Sequence, residues 1–308
     1  MIRISDKNAK GIIWIASYPR SGNTWTRAFL NSLFKVMQDP SSEEVDINRI
    51  EEGSLVENAA ALYPRFLRKP VSAASPAEIA AARPRVQAAL VESAGRPIYL
   101  KTHNANALDH GAPLINMGVS LGALYIVRNP LDVAISYAHL SNAPIDQVID
   151  RMATSGWGVE SSREKGLEKV RVVMGSWSEN VGSWTGTPHP AVLVVRYEDM
   201  VGKPNTTFAR MAQHLQARPS VEQLRRAISM SDFSRLRAQE QAAGFNEKPD
   251  KSVSPFFREG RVGQWREVLS PEQVSCIVAA HRPLMKRFDY LPRQSDLHLG
   301  QRTGRTRA

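Results

Sequence analysis

Residues 11–37 contain a short apolar run, a turn of small and polar residues, and an amphipathic pattern, in that order. The apolar run, residues 12–16, is too short for a globular helix and rich in β-forming residues, which predicts a buried strand. Tyr18 and Pro19 end it, because proline fixes its φ angle and lacks a backbone donor. Beyond the turn, one helix face is marked by Trp25, Ala28, Phe29, Ser32, Leu33, Val36 and Met37. The order predicts strand, tight turn and helix.

The turn between this strand and helix has the composition of an anion-binding loop. A strand–turn–helix unit points free backbone N–H groups and the positive end of a helix dipole at one place. Gly22 permits a tight backbone there, and Arg20, Ser21 and Thr24 add a cation and two hydroxyls. For this turn taken alone, a phosphate site and an ordinary strand-to-helix connection stay equally open.

The turn departs from the Walker A loop of nucleoside triphosphatases, G-x-x-x-x-G-K-[ST]. With Gly22 and Thr24 at its end, the first glycine of that pattern falls on Ser17 and its lysine on Asn23. The lysine that binds β- and γ-phosphates is therefore missing, and the nearest cation, Arg20, precedes the glycine. A nucleoside triphosphate ligand stays an alternative that these residues do not favour.

Residues 17–25, SYPRSGNTW, resemble the 5′-phosphosulfate loop of the sulfotransferases that use 3′-phosphoadenosine 5′-phosphosulfate (PAPS). Three later stretches match the same family in the same order: KTH at 101–103, VRNPLDVAISYAHL at 127–140 and FREGRVGQW at 257–265. One such match is a weak signal, whereas four in order, spanning residues 11 to about 290, are specific. The sequence is identified as a member of the PAPS-dependent family, of the cytosolic type.

β-Forming runs alternate with helical patterns along the chain, which predicts an α/β fold. Further strands are expected at 97–100, 121–127 and 191–195, and helices after Pro130 and at 77–92 (interrupted at Pro84), 168–184, 204–217, 220–229 and 271–288. We expect a single domain, residues 11–292, whose central parallel sheet is flanked by helices and contains the P-loop-like strand, loop and helix. Residues 1–10 are interpreted as a lead-in, 154–166 as a mobile loop, and 293–308 as a disordered basic tail.

The chain has a net charge of +10, which indicates an anionic partner. A cleft for a cofactor with two phosphate groups and a sulfate explains this charge as well as nucleic acid does, and the sequence lacks a basic platform interleaved with aromatic residues. Cys276, the only cysteine, allows no intrachain disulfide and fits a reducing compartment. Without a signal peptide pattern or an apolar run of the ~18–20 residues that span a bilayer, a cytoplasmic protein without an integral membrane segment is expected.

The resemblance implies which residues bind PAPS. They are Arg20, Ser21, Gly22, Asn23, Thr24, Trp25, Arg128, Ser136, Tyr197, Ser231, Phe233, Arg258, Glu259 and Gly260. The first six would surround the 5′-phosphosulfate, with the Trp25 ring near adenine. Arg128, Ser136 and the 258–260 loop would bind the 3′-phosphate, and Tyr197, Ser231 and Phe233 match adenine-side positions. The family commonly has a cation at Glu259, a loss that Arg261 is expected to compensate.

The catalytic residues implied are His103, Lys101 and Arg20. Polar residues follow the predicted strands, and in an open parallel sheet ligands bind at these carboxyl ends. Of the seven histidines, His103 alone combines a strand end with a matching motif, so we interpret it as the general base, with His139 as second choice. Lys101, on the same strand face, would stabilise the transferring sulfuryl oxygens, and Arg20 replaces the family's lysine at the bridging oxygen. No metal is expected.

The sequence therefore predicts in-line sulfuryl transfer from PAPS to a hydroxyl, or less favourably an amine, of a small-molecule, lipid or carbohydrate acceptor. A P-loop-type nucleotide kinase is the alternative, although its lysine and strand-end aspartate are missing. A basic nucleic-acid-binding protein is less favoured, and no nucleic acid partner is expected. The acceptor itself stays open; Tyr63, Phe66 and residues 104–120 and 141–165 are its candidate surroundings. The oligomeric state also stays open, because Arg266, Ser270 and Pro271 depart from the dimerisation segment of animal members.

Overall fold

The structure, a computed structural model, describes residues 9–164, 167–293 and 296 of the 308-residue chain. The expected lead-in and basic tail lie almost entirely outside these ranges. The strands are β1 Gly11–Ser17, β2 Leu55–Val56, β3 Pro97–Thr102, β4 Leu108–Asp109, β5 Ala112–Pro113, β6 Ser120–Val127, β7 Gly158–Val159, β8 Ser162–Glu164, β9 Leu167–Lys169, β10 Val172–Val173 and β11 Val192–Arg196.

The helices alternate with these strands. They are α1 Asn23–Gln38, α2 Tyr63–Leu67, α3 Pro76–Ala94, α4 Pro130–Ser141, α5 Ile145–Ala153, α6 Trp177–Thr185, α7 Tyr197–Gly202, α8 Pro204–His214, α9 Val221–Met230, α10 Phe233–Ala243, α11 Trp265–Val268 and α12 Pro271–Arg287. Short 3-10 helices occupy Ile47–Glu52, Ala60–Leu62, Val71–Ala73 and Met117–Val119. Among the residues described, no helix combines the length and apolarity that crossing a membrane requires.

Five strands form one parallel sheet in the order β11-β6-β1-β3-β2. The central strand β1 is buried along its whole length, as its continuous apolar run predicts. Its last residues pair with β3 and β6, so that Ile15 lies beside both Lys101 and Leu124. The predicted α/β architecture with a central parallel sheet is confirmed, and all five strands end at the same edge.

Helices cover both faces of this sheet. Ile12 and Trp14 pack on one side with residues of α4, α6 and α12. Ile13 and Ile15 pack on the other side with residues of α1 and α8, including Phe29 and Phe208. Because successive strand residues face opposite sides, both packed faces together hold β1 in the middle of the core. The carboxyl ends of the strands are thereby fixed relative to the start of α1.

The helix predicted for residues 168–184 is wrong over its first half. Residues 167–169 and 172–173 are the short strands β9 and β10, which pair with β8 and β7 inside the stretch expected to be a loop. Gly175 has a φ of 68°, which ends any continuous helix, and Ser176 then begins α6 through a reciprocal capping box with Glu179. Val173 and Met174 are buried, although their backbone is not helical.

The expected interruption at Pro84 does not occur, because α3 runs unbroken from Pro76 to Ala94. Buried side chains of α3 anchor it on either side of the proline: Arg83 pairs with Glu57, and Gln87 donates to the carbonyl of Leu114 at 2.9 Å. These contacts offset the hydrogen bond that the proline removes. The helices α5 and α10 were not predicted at all.

Candidate active site

The loop between β1 and α1 has the geometry of an open helix start. Gly22 is the N-terminal cap of α1 with φ 104° and ψ 13°, and no side chain caps that end. A Cβ at Gly22 would lie 2.8 Å from Cδ2 of Tyr197, so both the backbone angle and the close approach require glycine. Half-buried Thr24 follows in the first turn. The loop therefore presents backbone and hydroxyl groups without a competing cap.

Buried polar atoms around this loop lack partners among the described residues. Ser21 is fully buried, and its Oγ makes no hydrogen bond. Asn23 Nδ2 donates to the carbonyl of Ile15 at 2.9 Å, whereas its Oδ1 accepts nothing. Nε of Arg128 is likewise buried and unpaired. Each such atom costs about 1–3 kcal/mol when unpaired, so a ligand or water that supplies the partner is favoured here.

Arg20 connects the loop to α4 and to the segment before residue 257. Its φ is 65°, and its Nε donates to Oγ of Ser136 at 2.9 Å. Its Nη2 donates to the carbonyl of Phe256 at 2.8 Å, and its guanidinium lies 4.4 Å from the centre of the Phe256 ring. Burial and the neighbouring charge of Arg128 lower the pKa of Arg20 to about 10. Arg20 and Ser136 thus meet directly, and Arg20 keeps its charge at neutral pH.

The guanidinium of Arg128, just after β6, contacts residues that follow β1 and β11 and a residue of the 257–265 loop. Its Nη1 donates to the carbonyl of Arg20 at 3.0 Å and its Nη2 to the carbonyl of Arg261 at 3.2 Å. Its guanidinium lies 4.2 Å from the centre of the Tyr197 ring, and the Tyr197 hydroxyl donates to the carbonyl of Gly260 at 2.9 Å. The ends of β1, β6 and β11 and the 257–265 loop therefore surround one buried guanidinium.

The residues expected on the adenine side, Trp25, Tyr197, Ser231 and Phe233, are linked by contacts around Trp25 and Gly260. Trp25 Nε1 donates to the carbonyl of Ser231 at 2.8 Å, and its ring meets that of Tyr197 edge-on at 5.9 Å. Phe233 lies against Gly260, where a Cβ would come within 2.7 Å of its ring. The hydroxyl of Ser231 donates back to the carbonyl of Ala227 at 2.8 Å, so only the carbonyl of this residue contacts the group.

The 257–265 loop carries its own counter-charges. Glu259 bonds Arg258, which also donates to Gln264, and it accepts from Arg261 Nε at 2.6 Å. The rest of the Arg261 guanidinium pairs with Glu267 at 2.8 Å and 2.9 Å. Arg261 is therefore held by two carboxylates rather than standing free to replace a missing cation.

His103 lies beside Ser17 at the ends of β3 and β1. Its Nδ1 is 2.8 Å from the Ser17 carbonyl, an atom that only accepts, so Nδ1 carries the hydrogen and Nε2 the lone pair. Burial and the charge of Lys101 hold the pKa of His103 well below 6.5, which keeps the ring neutral. Burial lowers the pKa of Lys101 to about 8. His139 is exposed on α4, with Nδ1 3.4 Å from Ser254 Oγ.

Sequence reasoning missed the acids that hold the loops in place. Asp132 accepts from the backbone N–H groups of Gly263 at 2.7 Å and Trp265 at 3.1 Å. Glu240 accepts from those of Phe256 at 2.6 Å and Phe257 at 2.8 Å. Asp132 falls within a matching stretch, which was a usable signal, whereas nothing near Glu240 distinguishes it from a surface carboxylate.

Comparison with known proteins identifies the site's family. The model of the sulfotransferase domain matches residues 10–289. The chain belongs to the sulfotransferase family. Sulfotransferase 1A1 of Bos taurus is 26% identical over 264 residues, covering 84% of this chain and 78% of the relative. Sulfotransferase 1E1 of Mus musculus is 25% identical over 260 residues, covering 82% and 76%.

Solved structures share the fold of this sulfotransferase. Retinol dehydratase in complex with androsterone and PAP superposes with a TM-score of 0.60 at 18% identity, covering 93% of this chain and 82% of that one. Mouse sulfotransferase SULT7A1 complexed with PAP gives 0.53 at 17% identity, covering 97% and 90%. The family identification drawn from four sequence stretches is confirmed, and it favours sulfuryl transfer over the kinase and nucleic-acid alternatives.

Proposed function

We propose that this sulfotransferase transfers the sulfuryl group of PAPS to a hydroxyl of a small-molecule acceptor, with His103 as general base. The observation that carries the proposal is the convergence at one sheet edge of buried Arg128, half-buried Arg20, an uncapped helix start and a neutral histidine. Two related folds are described with PAP bound, which supports a 3′-phosphorylated adenine nucleotide as the ligand here.

The residues of the cleft fit such a nucleotide. The unpaired Ser21 Oγ and Arg128 Nε are polar atoms that a bound phosphate would satisfy. We assign the 5′-phosphate to residues 21–24 and the 3′-phosphate to Arg128, Ser136 and the 258–260 loop. Trp25, Tyr197, Ser231 and Phe233 are assigned to the adenine side. When bound, PAPS supplies the sulfuryl group and a phosphate as leaving group.

The protonation states of Arg20, Lys101 and His103 determine the role that each has in the transfer step. Arg20, whose pKa is lowered only to about 10, stays protonated and acts on the leaving oxygen by charge rather than by proton donation. Lys101, with a pKa of about 8, is charged at neutral pH and stabilises the sulfuryl oxygens. His103 Nε2 takes the proton of the acceptor hydroxyl, while the bond from Nδ1 to Ser17 keeps that tautomer. No metal is invoked in these steps.

The acceptor is proposed to be a small hydroxylated molecule. Retinol dehydratase, one of the similar folds, is described in complexes with androsterone and with retinol. Of the aromatic candidates, Tyr63 is buried in a core cluster with α3. Half-buried Phe66 packs on that cluster, and Arg65 and Arg85 lie over its ring. Packing accounts for Tyr63, whereas Phe66 also lines a cavity with Leu90 and Ile98, so both this cavity and the residues around His103 stay candidates for acceptor binding.

Calorimetry with PAP (3′-phosphoadenosine 5′-phosphate), ADP, ATP–Mg²⁺ and a short oligonucleotide tests which nucleotide the protein binds without knowledge of the acceptor. We expect PAP to bind with micromolar or tighter affinity and ADP much more weakly, because ADP lacks the 3′-phosphate. Equal binding of ATP–Mg²⁺, or preference for the oligonucleotide, would refute the proposal.

Replacing Glu259 by glutamine should strengthen PAP binding by roughly three- to tenfold, equivalent to about 1 kcal/mol. The carboxylate occupies Arg258 and adds negative charge beside the proposed 3′-phosphate position, and the amide removes both effects. Calorimetry should show ADP affinity unchanged. Glu267→Gln is the matched control, because it releases Arg261 only on the exposed side. Weaker PAP binding in Glu259→Gln would show instead that the carboxylate orders the loop.

A further inference from the structure

Arg27 lies on α1, just beyond the phosphate loop, and its side chain is fully buried. Its Nε donates to Oγ of Ser54 at 2.8 Å, and its Nη1 pairs with Glu247 at 2.6 Å. A buried guanidinium is costly unless it is paired and hydrogen-bonded. Among the described residues, Glu247 is the carboxylate that pairs with it. Neither member of the pair belongs to the proposed nucleotide site.

Glu247 is carried by residues 244–255, the segment that joins α10 to the 257–265 loop. Asn48 holds the start of this segment: its Nδ2 donates to the carbonyl of Gly244 at 3.2 Å, and its Oδ1 accepts from the N–H of Asn246 at 2.7 Å. Phe256, just beyond the far end, accepts from Arg20. The segment that carries the Glu247 carboxylate is thus fixed at its start by Asn48 and is followed directly by a residue bonded to Arg20.

The Arg27 site is connected to Lys101 through the edge of the sheet. Ser54, the partner of Arg27, immediately precedes β2, and Val56 of β2 is in register with Lys101 of β3. Besides burial, the charges of Glu247, Arg27, Lys169 and Glu57 shift the pKa of Lys101, and the charge of Lys101 in turn lowers the pKa of His103. Glu57 is engaged by Arg83 and Asn104. Ile15, in register with Lys101, packs on the side of the sheet that α1 covers, so Lys101 lies on the face that also carries Arg27 of α1 and its partner Glu247.

We propose that Glu247 is a positioning residue of the cleft, whose carboxylate fixes Arg27 and offsets the repulsion between Arg27 and Lys101, so that Lys101 keeps its positive charge beside His103. Only the catalytic consequence, stabilisation of sulfuryl oxygens by Lys101, rests on the proposed function. The pKa of Lys101 is lowered by burial and by Arg27 and raised by Glu247. Removing the carboxylate therefore lowers this pKa, and removing the guanidinium raises it.

Competitive acetylation followed by mass spectrometry measures the titration of Lys101 in the full chain without any substrate. We expect a midpoint of about 8 in the wild type. It should fall by roughly half a unit to one unit in Glu247→Gln and rise by a similar amount in Arg27→Met. Glu52→Gln is the control, since Glu52 pairs with Arg49 at an exposed position of the neighbouring 3-10 helix.

The opposite signs separate this electrostatic role from a structural one, because loosening of the segment would move the midpoint in the same direction in both variants. An unchanged midpoint in either folded variant, or shifts of equal sign, would overturn the proposal. If Glu247→Gln does not fold, Arg27→Met is compared with Arg27→Lys, which keeps the positive charge. The midpoint should rise in Arg27→Met and stay near the wild-type value in Arg27→Lys, whereas a rise in both would overturn the proposal. PAP calorimetry on the same samples is an independent measurement. If the wild-type protein does not bind PAP, the proposed function is refuted, while the titration result for Lys101 still holds.

Discussion

Replacing His103 by alanine is expected to lower kcat by roughly 10²–10⁴-fold, the usual contribution of a positioned general base. The variant removes Nε2, the atom that would accept the acceptor's proton. The ring contacts Ser17 at Nδ1, so its loss leaves Arg20 and Arg128 in place. PAP affinity should therefore stay within about twofold of the wild type. Initial rates with an acceptor found by screening, together with PAP calorimetry, measure the two quantities separately.

The pH profile of kcat/KM is the control for this assignment. Burial and Lys101 hold the pKa of His103 well below 6.5, and a base works in its neutral form, so the acid limb should lie below pH 6.5. Lys101 works in its charged form, so an alkaline limb is expected at about pH 8. Full activity of the alanine variant, or an acid limb above pH 6.5, would assign the base to another group.

The parts of the fold with strong local patterns were predictable. The apolar run of β1, the periodicity of α1 and Pro130 at the start of α4 all describe elements as the structure has them. The two-residue strand β2 has no pattern of its own, because its pairing with β3 defines it. Helix α5 carried a readable signal in Ile145, Val148, Ile149 and Met152, spaced as one helix face, yet no helix was predicted there.

The location of the candidate site was predictable from the sequence, whereas the hydrogen-bond and ion-pair partners of its residues were not. Parallel strands end at one edge, so the residues after β1, β3, β6 and β11 had to come together. The partners of these residues come from far along the chain. Arg27 pairs with Glu247, 220 residues later, and Asn104 bonds Glu57, 47 residues earlier. Such pairs depend on how loops pack, and neither residue of a pair carries a local pattern that identifies the other.

Replacing Arg128 by alanine is expected to weaken PAP binding by roughly 10- to 100-fold, because one or two charge-assisted hydrogen bonds to the 3′-phosphate would be lost. Its unpaired, buried Nε is the donor we expect such a ligand to use. ADP, which has no 3′-phosphate, should bind as it does to the wild type. In contrast to His103→Ala, turnover at saturating PAPS should fall much less than affinity. Calorimetry and kcat measurements at several PAPS concentrations separate these effects.

The comparison with ADP is essential because Arg128 also holds the carbonyls of Arg20 and Arg261. Equal weakening of ADP and PAP would mean that the substitution disorders the loops, and the assignment to the 3′-phosphate would fail. Arg196→Ala is the matched control: Arg196 ends the neighbouring strand β11 and lies 4.8 Å from the centre of the Tyr290 ring, outside the proposed nucleotide site. If Arg196→Ala weakens PAP as much as Arg128→Ala does, net charge at the sheet edge rather than a specific contact governs binding.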